Sequence, residues 1–261
     1  MRSAGRVVAS ARKPSAFFRA FEVELPGRRF ELKAVSVWGR EFGLYEGETL
    51  IGRIGPASWL GRSAVIDLPD ALPTEAQVFL FWLVLVLRKR AARIKVLLMD
   101  VDGTMTDGGV TLLSQNDGTA LEIKTFDAHD GQGLTLAHTA GLRTGCITGR
   151  ESSALLRRAR EMKMEFIYMK QPVKMPAYEE ILQKTGVSDS AVAVIGDDLP
   201  DLPLMRRAGL AVAVGDAVPE VKQVAHYVTR APAGHGAIRE AVELVLKAKG
   251  IWTEMIDKAR A

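Results

Sequence analysis

The sequence predicts an α/β fold in which a parallel sheet carries helices on both faces and a β-hairpin is inserted near its start. From about residue 94 onward, short apolar runs alternate with helical patterns, which is typical of such a sheet. Before that point, strand-like segments are followed by one strongly apolar run. We therefore expect a Rossmann-like domain preceded by a small β-rich N-terminal domain with one apolar helix.

The composition is that of an ordinary globular protein with enough apolar material for a core. The chain has 261 residues, of which 48% are hydrophobic and 25% are charged. The single cysteine, Cys146, excludes an internal disulfide framework and a cysteine-based zinc site, and its apolar neighbours predict a buried position. Four scattered histidines show no metal-ligand spacing. This cysteine usage predicts a reducing, cytoplasmic location.

The net charge is distributed unevenly along the chain. Residues 1–93 hold 15 Lys and Arg against 9 Asp and Glu, a net charge of +6, whereas residues 94–261 hold 20 against 22, a net charge of −2. A basic front half can approach anionic lipid or nucleic acid. Because no nucleic-acid-binding motif accompanies it, we predict no nucleic-acid partner.

The N-terminal region begins with a basic, aperiodic stretch over residues 1–16, which predicts a disordered leader rather than a secretory signal. Residues 17–92 predict a small β-rich domain. Alternating apolar and polar residues and two turns, Pro26-Gly27 and Glu46-Gly47, predict two hairpins and a further strand. The predicted strands cover residues 21–25, 30–35, 41–45, 49–54 and 63–68.

An apolar run over residues 78–87 predicts a helix over residues 75–90. It is about half the length that a membrane span needs. Because it is apolar on every face, we expect the preceding strands to enclose it. The alternative is a membrane-surface or re-entrant anchor, helped by the basic residues Arg88, Lys89 and Arg90. In pattern, strands followed by such a helix are weakly similar to the tubby-like and LURP-one-related barrels.

Residues 93–250 predict the α/β domain, and residues 251–261 are predicted to form a C-terminal tail. The predicted strands cover residues 94–100, 142–147, 166–169, 191–195, 210–214 and 226–229. Helices are predicted between them and over residues 237–249. The inserted hairpin comprises residues 109–113 and 120–126, joined by a turn at Asn116-Asp117-Gly118.

Acidic residues follow two of these predicted strands. Asp100 and Asp102 end the first strand, and Asp197, Asp198 and Asp201 follow the strand over residues 191–195. Ligands collect at the carboxyl ends of parallel strands, and crowded carboxylates repel one another unless a cation lies among them. The pattern therefore favours a Mg²⁺ site and a phosphate group. The alternative is turn-forming and helix-capping aspartates.

Three other segments fit a phosphate site. Thr148 ends a strand and can donate a hydrogen bond to a phosphoryl oxygen. Lys174 opens a predicted helix, where the macrodipole does not favour a cation, which argues for a role beyond helix stability. The glycine-rich segment over residues 127–133 leads into a helix and can present backbone N–H groups to an anion.

Together these residues resemble the four motifs of the haloacid dehalogenase superfamily, in the same order. Within it, residues 94–250 are most similar to the family of 3-deoxy-D-manno-octulosonate 8-phosphate phosphatases. The segments that carry this resemblance are Asp100-Val-Asp-Gly-Thr-Met-Thr-Asp107-Gly108, Phe126-x-x-x-Asp130-Gly-x-Gly133, Ile147-Thr-Gly-Arg150, Gly196-Asp-Asp-Leu-x-Asp201 and Gly234-x-Gly-Ala-x-Arg239-Glu. His235 departs from the Arg that the family leads us to expect there.

The resemblance implies a role for each catalytic residue. Asp100 is the nucleophile that forms an aspartyl-phosphate, and Asp102 is the general acid and then the base. Thr148 and Lys174 stabilise the charge on the phosphoryl oxygens. The implied metal is Mg²⁺, held by Asp100, the backbone carbonyl of Asp102 and Asp197.

Asp198 is implied to lie beside the metal, and Asp201 is implied to orient Lys174 or a metal-bound water. The implied substrate contacts are Arg150 and Arg158, with Arg157 left as an alternative to Arg158. The glycine-rich segment adds Asp130, Gly131 and Gly133 to the implied substrate contacts.

The implied function is the hydrolysis of 3-deoxy-D-manno-octulosonate 8-phosphate in lipopolysaccharide precursor synthesis. A nonulosonate 9-phosphate is the alternative substrate. A different hypothesis is a membrane- or lipid-associated binding module with an ancillary phosphatase domain. No large cap is inserted, and in the family the hairpin assembles a tetramer, so a homo-oligomer is expected.

Overall fold

A computed structural model describes residues 2–3, 6–7, 10–12, 20–25, 27–35, 42–56 and 64–260. The chain divides into two compact units, residues 1–89 and 90–261. Each unit has its own hydrophobic core.

The first unit contains antiparallel strands and one helix. The strands are β1 (Arg2–Ser3), β2 (Arg6–Val7), β3 (Ser10–Arg12), β4 (Ala20–Leu25), β5 (Arg28–Ala34), β6 (Phe42–Glu46), β7 (Thr49–Pro56) and β8 (Ala64–Asp67). β1 pairs with β2, and the other six form one sheet in chain order. Gly27 and Gly47 adopt positive φ angles of 76° and 61° between paired strands, as tight hairpin turns require. The predicted β-rich N-terminal region is confirmed.

Part of the predicted disordered leader, residues 1–16, forms regular structure. β3 pairs antiparallel with β4, and β1 pairs with β2. Without β3, β4 would be an edge strand with a row of unpaired backbone groups, which explains the pairing. The prediction of disorder is therefore wrong for the described residues of the leader. Its other residues lie outside the described part of the chain.

Helix α1 (Thr74–Ala92) buries one face only. Ala76, Leu80 and Val84 pack into the core formed by the strands of the first unit. On the opposite face Val78 and Trp82 are each 55% exposed, although both are large and apolar. The prediction of a helix enclosed on every face is therefore wrong, because a single sheet covers a single face. Among the described residues, no helix is long and apolar enough to cross a membrane.

The second unit is a six-stranded parallel sheet with helices and an inserted hairpin. Its strands are β9 (Val96–Met99), β10 (Thr111–Ser114), β11 (Ala120–Ile123), β12 (Arg143–Ile147), β13 (Phe166–Tyr168), β14 (Val192–Gly196), β15 (Leu210–Ala213) and β16 (Tyr227–Val228). The helices are α2 (Ala128–Thr139), α3 (Ser153–Glu161), α4 (Met175–Thr185), α5 (Leu202–Arg207), α6 (Pro219–Val224), α7 (Ala237–Lys249) and α8 (Trp252–Arg260).

The strand order of this sheet is β13-β12-β9-β14-β15-β16, and β10 pairs with β11 as a separate hairpin. The chain runs from β9 to β12 and β13 on one side, and later to β14 on the other side of β9. This change of direction beside β9 creates a crevice at the carboxyl ends of the strands, where such folds bind ligands. The predicted Rossmann-like α/β fold is confirmed.

The predicted C-terminal tail, residues 251–261, contains helix α8. Trp252 and Met255 are buried. The ammonium of Lys247 lies 5.0 Å from the centre of the Trp252 ring, and the Arg239 guanidinium lies 5.5 Å from it. Burial of a large aromatic ring stabilises the helix against α7, so the prediction of a tail is wrong for the described residues.

Candidate active site

Three neighbouring strands end at the same level and bring their following residues together. Cys146 of β12 and Ile195 of β14 are both paired with Met99 of β9. The backbone N–H of Asp100 donates to the carbonyl of Ile195 at 3.0 Å. The parallel register therefore places Asp100 beside the end of β14, which leads into Asp197.

Three carboxylates form a cluster at these strand ends. Asp100, Asp197 and Asp201 each present an oxygen within 4.8 Å of the others. Burial raises the pKa of Asp100 to about 6, and the charge of Asp201 adds to this effect. Burial likewise raises the pKa of Asp197 to about 7. Ionised carboxylates this close are unfavourable without a cation, and an all-oxygen donor set fits Mg²⁺.

Lys174 supplies a cation beside two of these carboxylates. Its side chain is buried, and its ammonium donates to Asp100 Oδ1 at 2.5 Å and to Asp201 Oδ1 at 2.7 Å. Burial opposes the charge of the ammonium, but Asp100 and Asp201 together raise the pKa of Lys174 above its ordinary value. These contacts explain a lysine at the start of α4, where it does not cap the helix.

The second oxygen of Asp201 holds the loop after β14. Oδ2 accepts from the backbone N–H of Asp197 at 3.1 Å and of Asp198 at 3.5 Å. A Cβ at Gly196 would lie 2.4 Å from the same oxygen. Glycine is therefore required here because Asp201 packs directly against the backbone. Oδ1 of Asp201 contacts the Lys174 ammonium, and the expectation that Asp201 orients Lys174 or a metal-bound water stays a prediction.

The Gly103-Thr104 segment after the paired aspartates positions Asp197. Thr104 is fully buried, and its hydroxyl donates to Asp197 Oδ1 at 2.7 Å. Gly103 has a φ of +85°, and a Cβ there would lie 2.2 Å from Asp197 Oδ2. The sequence interpretation assigned no role to Thr104, because its partner is 93 residues away in the chain.

Asp198, a predicted metal ligand, lies outside the carboxylate cluster. It is exposed, and its carboxylate accepts from the backbone N–H of Leu199 at 2.7 Å, at the start of a short 3₁₀ helix. This is the ordinary role of an aspartate at a helix start. The structure brings Asp201 into the cluster instead.

Asp102 contacts a group of charges at the base of the hairpin. The ammonium of Lys124 contacts Asp102 Oδ1 and lies 3.5 Å from Glu122 Oε1. Glu122 Oε1 also accepts from Arg150 Nη2 at 2.7 Å. We call Asp102, Glu122, Lys124 and Arg150 the hairpin-base cluster. The sequence interpretation missed Glu122 and Lys124, although their i, i+2 spacing in an extended segment places them on one face.

Thr148 lies at the end of β12 and is buried. Its backbone N–H donates to the carbonyl of Tyr168 at 2.9 Å, and its carbonyl accepts from Gln171 N–H at 2.9 Å. Its hydroxyl accepts from the backbone N–H of Arg150 at 3.3 Å. The residue is thus fixed where β12 gives way to the loop that carries Arg150.

Asp130, a predicted substrate contact, caps helix α7. Its two carboxylate oxygens accept from the backbone N–H groups of Arg239 at 2.7 Å and Gly236 at 3.3 Å. Burial raises the pKa of Asp130 to about 6, although these N–H groups oppose the shift. Both oxygens of Asp130 thus lie at a helix N-terminus, where a carboxylate is favourable, and its contact with a substrate stays a prediction.

Arg158 lies against the start of α2, and Arg157 does not. A Cβ at Gly131 would lie 2.6 Å from Arg158 Nη2. Among the described residues, Arg158 Nε is buried without a hydrogen-bond partner. Arg157 has an 86% exposed side chain that pairs with Glu161 at 3.2 Å. Arg158 Nη1 also lies 3.6 Å from Glu161 Oε2, and the choice between the two arginines as the substrate contact stays a prediction.

Cys146 is buried in β12, as predicted, and burial raises the pKa of its thiol to about 12. A thiol in this state is a poor nucleophile at neutral pH.

Gly133, another predicted substrate contact, allows α2 to approach α7. A Cβ there would lie 2.9 Å from the Cα of Arg239. We expect Gly133→Ala to lower the free energy of unfolding by about 1–3 kcal/mol, because backbone of α7 would have to move. Urea denaturation measures this. Gly149→Ala is the control, since its added Cβ would meet nothing closer than 3.8 Å. An equal loss of unfolding free energy in both variants would contradict the view that Gly133 is needed for the close approach of α2 to α7.

Several known proteins are similar to this chain. A family model described as haloacid dehalogenase-like hydrolase matches residues 156–240. A 3-deoxy-D-manno-octulosonate 8-phosphate phosphatase from Yersinia pestis is 41% identical over 161 residues, which cover 62% of this chain and 84% of the relative. The corresponding phosphatase from Escherichia coli K12 is 38% identical with the same coverage.

A solved structure agrees with both findings. The Moraxella catarrhalis 3-deoxy-D-manno-octulosonate 8-phosphate phosphatase, in complex with magnesium ion, phosphate ion and KDO, matches with a TM-score of 0.62 and 36% identity. The match covers 66% of this chain and 97% of that one.

The fold and site thus define a haloacid dehalogenase-like hydrolase, and the enzyme is a phosphatase. More narrowly, the chain belongs to the family of 3-deoxy-D-manno-octulosonate 8-phosphate phosphatases.

Proposed function

We propose that this phosphatase is a Mg²⁺-dependent phosphomonoesterase that converts 3-deoxy-D-manno-octulosonate 8-phosphate into the free sugar acid and phosphate. The observation that carries the proposal is the cluster of Asp100, Asp197 and Asp201, with the Lys174 ammonium beside it. Acids and a buried cation at one strand-end crevice suit a phosphoryl group and its metal. The names of the relatives supply the substrate.

Asp100 is the proposed nucleophile. Its carboxylate attacks phosphorus, and the bond from phosphorus to the sugar oxygen breaks, which leaves an aspartyl-phosphate. Lys174 holds Asp100 Oδ1, which orients the carboxylate for attack. Asp100, the carbonyl of Asp102 and Asp197 would hold Mg²⁺, which would supply charge neutralisation at the phosphoryl oxygens.

Asp102 is the proposed general acid and base. It gives a proton to the departing sugar oxygen and then takes one from the water that hydrolyses the aspartyl-phosphate. Thr148 and Lys174 are the proposed donors to the phosphoryl oxygens, whose charge is spread in the transition state.

The sugar acid needs a cation for its carboxylate, and Arg150 and Arg158 are the proposed contacts. Arginine binds carboxylates with two parallel hydrogen bonds. The unpartnered, buried Nε of Arg158 supports this assignment. The place of the reaction in lipopolysaccharide precursor synthesis follows only from the proposed substrate.

A substrate panel tests the proposed function. Phosphate release is measured from eight-carbon and nine-carbon ulosonate phosphates and from unrelated sugar phosphates, with Mg²⁺ present. We expect the highest kcat/KM for the octulosonate 8-phosphate. A higher value for a nonulosonate 9-phosphate would assign the alternative substrate, and no release from any ulosonate ester would refute the proposal.

Removal of divalent metal is expected to abolish phosphate release, because the charge on the phosphoryl oxygens then lacks the neutralisation that Mg²⁺ would supply. Dialysis against EDTA followed by activity measurement checks this. Added Mg²⁺ should restore activity and raise the thermal unfolding temperature, since an ion that binds only the native state stabilises it. Full activity in EDTA would contradict metal dependence.

We also propose that the enzyme is a homo-oligomer, with a tetramer expected, and that the hairpin forms the contact between copies. Leu113 and Leu121 are cross-strand partners, and Ile123 lies on the same face. All three are 50–55% exposed. A two-stranded hairpin with an apolar face is marginal in water, so a second copy that covers this face explains its sequence.

Leu121→Glu is expected to dissociate the oligomer into monomers, because a charge would be buried at the contact. Light scattering after size-exclusion chromatography measures the molar mass. Gln183→Glu, on exposed surface of α4, adds the same charge as a control. A wild-type protein that is monomeric at micromolar concentration would contradict the proposal.

The residues proposed for this chemistry all belong to the second unit, and a domain boundary near residue 92 remains our proposal. A cytoplasmic location and a peripheral membrane contact stay predictions. The exposed side chains of Val78, Trp82 and Leu85 on α1 are the feature that favours such a contact.

A further inference from the structure

Lys124 is the most deeply buried charged side chain of the hairpin-base cluster. Its side chain is 2% exposed, although it follows directly after the exposed strand β11. A buried ammonium is unfavourable unless charged partners surround it. Its partners are Asp102 and Glu122, so one contact goes directly to the proposed general acid.

The contacts of Asp102 are asymmetric. Oδ1 accepts from the Lys124 ammonium. Oδ2 lies 3.9 Å from Arg150 Nε, which is beyond hydrogen-bond distance. Oδ2 is thus the oxygen left to carry a proton to the leaving group, while Oδ1 is fixed by Lys124.

Glu122 connects the two cations of the cluster. Its Oε1 lies 3.5 Å from Lys124 Nζ and accepts from Arg150 Nη2 at 2.7 Å. The base of the hairpin therefore contributes two residues to the half of the site where the sugar leaves. Without Lys124, Glu122 keeps Arg150 as a partner and the Asp102 side chain is 20% exposed, so replacing Lys124 leaves neither carboxylate both buried and unpaired.

We propose that Lys124 is a positioning residue, which fixes the Asp102 carboxylate so that its free oxygen points at the leaving sugar oxygen. This inference rests on the proposed function. As the phosphorus–oxygen bond breaks, Asp102 gives its proton to the sugar oxygen. Lys124 acts on the reaction through Asp102.

The alternative is a salt bridge that only stabilises the hairpin. The two roles differ in how they depend on the leaving group. A sugar alkoxide needs a proton as it departs, whereas p-nitrophenolate leaves without one. Loss of Lys124 should therefore slow phosphoryl transfer from the sugar ester far more than from p-nitrophenyl phosphate.

The test measures kcat/KM of Lys124→Met on the octulosonate ester and on p-nitrophenyl phosphate, since this constant reports the step in which the leaving group departs. We expect a loss of about 100-fold for the sugar ester and of about threefold or less for the aryl ester. Asp102→Asn should show the same selectivity. Lys184→Met, with an exposed side chain on α4, is the control and should match wild type on both.

A double variant shows whether Lys124 acts through Asp102. Adding Lys124→Met to Asp102→Asn should lower kcat/KM for the sugar ester by no more than about a further threefold, because the effects of residues that act as a unit are not additive. Lys124→Arg keeps the charge and should recover at least about a tenth of wild-type activity on the sugar ester. It also gives a second readout if Lys124→Met does not fold.

Equal losses on both esters, or full additivity in the double variant, would overturn the inference. Wild-type enzyme that hydrolyses p-nitrophenyl phosphate but no ulosonate ester would refute the proposed substrate instead. In that case the same comparison with another alkyl phosphate that the enzyme accepts still decides the role of Lys124.

Discussion

Replacement of Asp100 by Asn is expected to lower phosphate release at least about 10³-fold, since loss of a nucleophile removes the covalent step altogether. The amide has nearly the same shape and can still contact Lys174 through its oxygen. The fold should therefore persist, and the loss should appear in kcat rather than in the thermal unfolding temperature. Phosphate release under saturating substrate, with thermal unfolding alongside, measures both.

Asp70→Asn gives the matched control, because Asp70 is exposed and belongs to the N-terminal unit. It should behave as wild type. Activity of Asp100→Asn within tenfold of wild type, given the expected magnitude of this step, would contradict the assignment of Asp100 as nucleophile.

Replacement of Lys174 by Met is expected to remove activity and also to destabilise the protein by about 3–5 kcal/mol in metal-free buffer at pH 8. Met fills similar volume, but Asp100 and Asp201 would remain buried without their ammonium partner. This destabilisation would distinguish Lys174 from a surface lysine, whose removal changes the free energy of unfolding little.

The destabilisation caused by Lys174→Met should change with pH in a definite direction. Burial raises the pKa of Asp100 to about 6 in the wild-type site, whereas an aspartate of the unfolded chain has a pKa of about 4. Between these two pH values the folded state therefore binds a proton that the unfolded chain does not. A protonated Asp100 needs no cation. The destabilisation by Lys174→Met should therefore be smaller at pH 5 than at pH 8.

Urea denaturation of both proteins at the two pH values measures the difference, with Lys184→Met as the control lysine. A variant as stable as wild type at pH 8, or a larger destabilisation at pH 5, would contradict the view that Lys174 neutralises buried carboxylates.

Much of the site could be predicted from the sequence because its residues end strands of a parallel sheet. Asp100, Thr148 and Asp197 each follow an apolar run, and parallel strands bring such ends to one edge. Lys174 was recognisable as a cation placed against the helix macrodipole. These features depend on local pattern and on a rule of topology that holds throughout this fold class.

Other features depend on contacts between distant residues, which local pattern does not contain. The bond from Thr104 to Asp197 and the capping of α7 by Asp130 join segments about a hundred residues apart. Asp198 and Asp201 are alike in sequence, and only the turn at the 3₁₀ helix decides which one enters the cluster.

The prediction for helix α1 was wrong for a different reason. Its apolar residues surround the helix evenly, so the sequence indicates no face, and burial on every face was the natural expectation. The six-stranded sheet of the first unit covers one face of the helix, with Leu80 and Val84 buried and Val78 and Trp82 exposed. The number of layers around a helix is a property of the tertiary fold.

Trapping the covalent intermediate tests the central claim most directly. Wild-type enzyme and 3-deoxy-D-manno-octulosonate 8-phosphate are mixed with Mg²⁺, quenched in acid during turnover and reduced with borohydride, which converts an aspartyl-phosphate into homoserine. We expect homoserine at position 100 by peptide mass spectrometry, together with released phosphate. Phosphate release with unmodified Asp100, or modification at another aspartate, would contradict it.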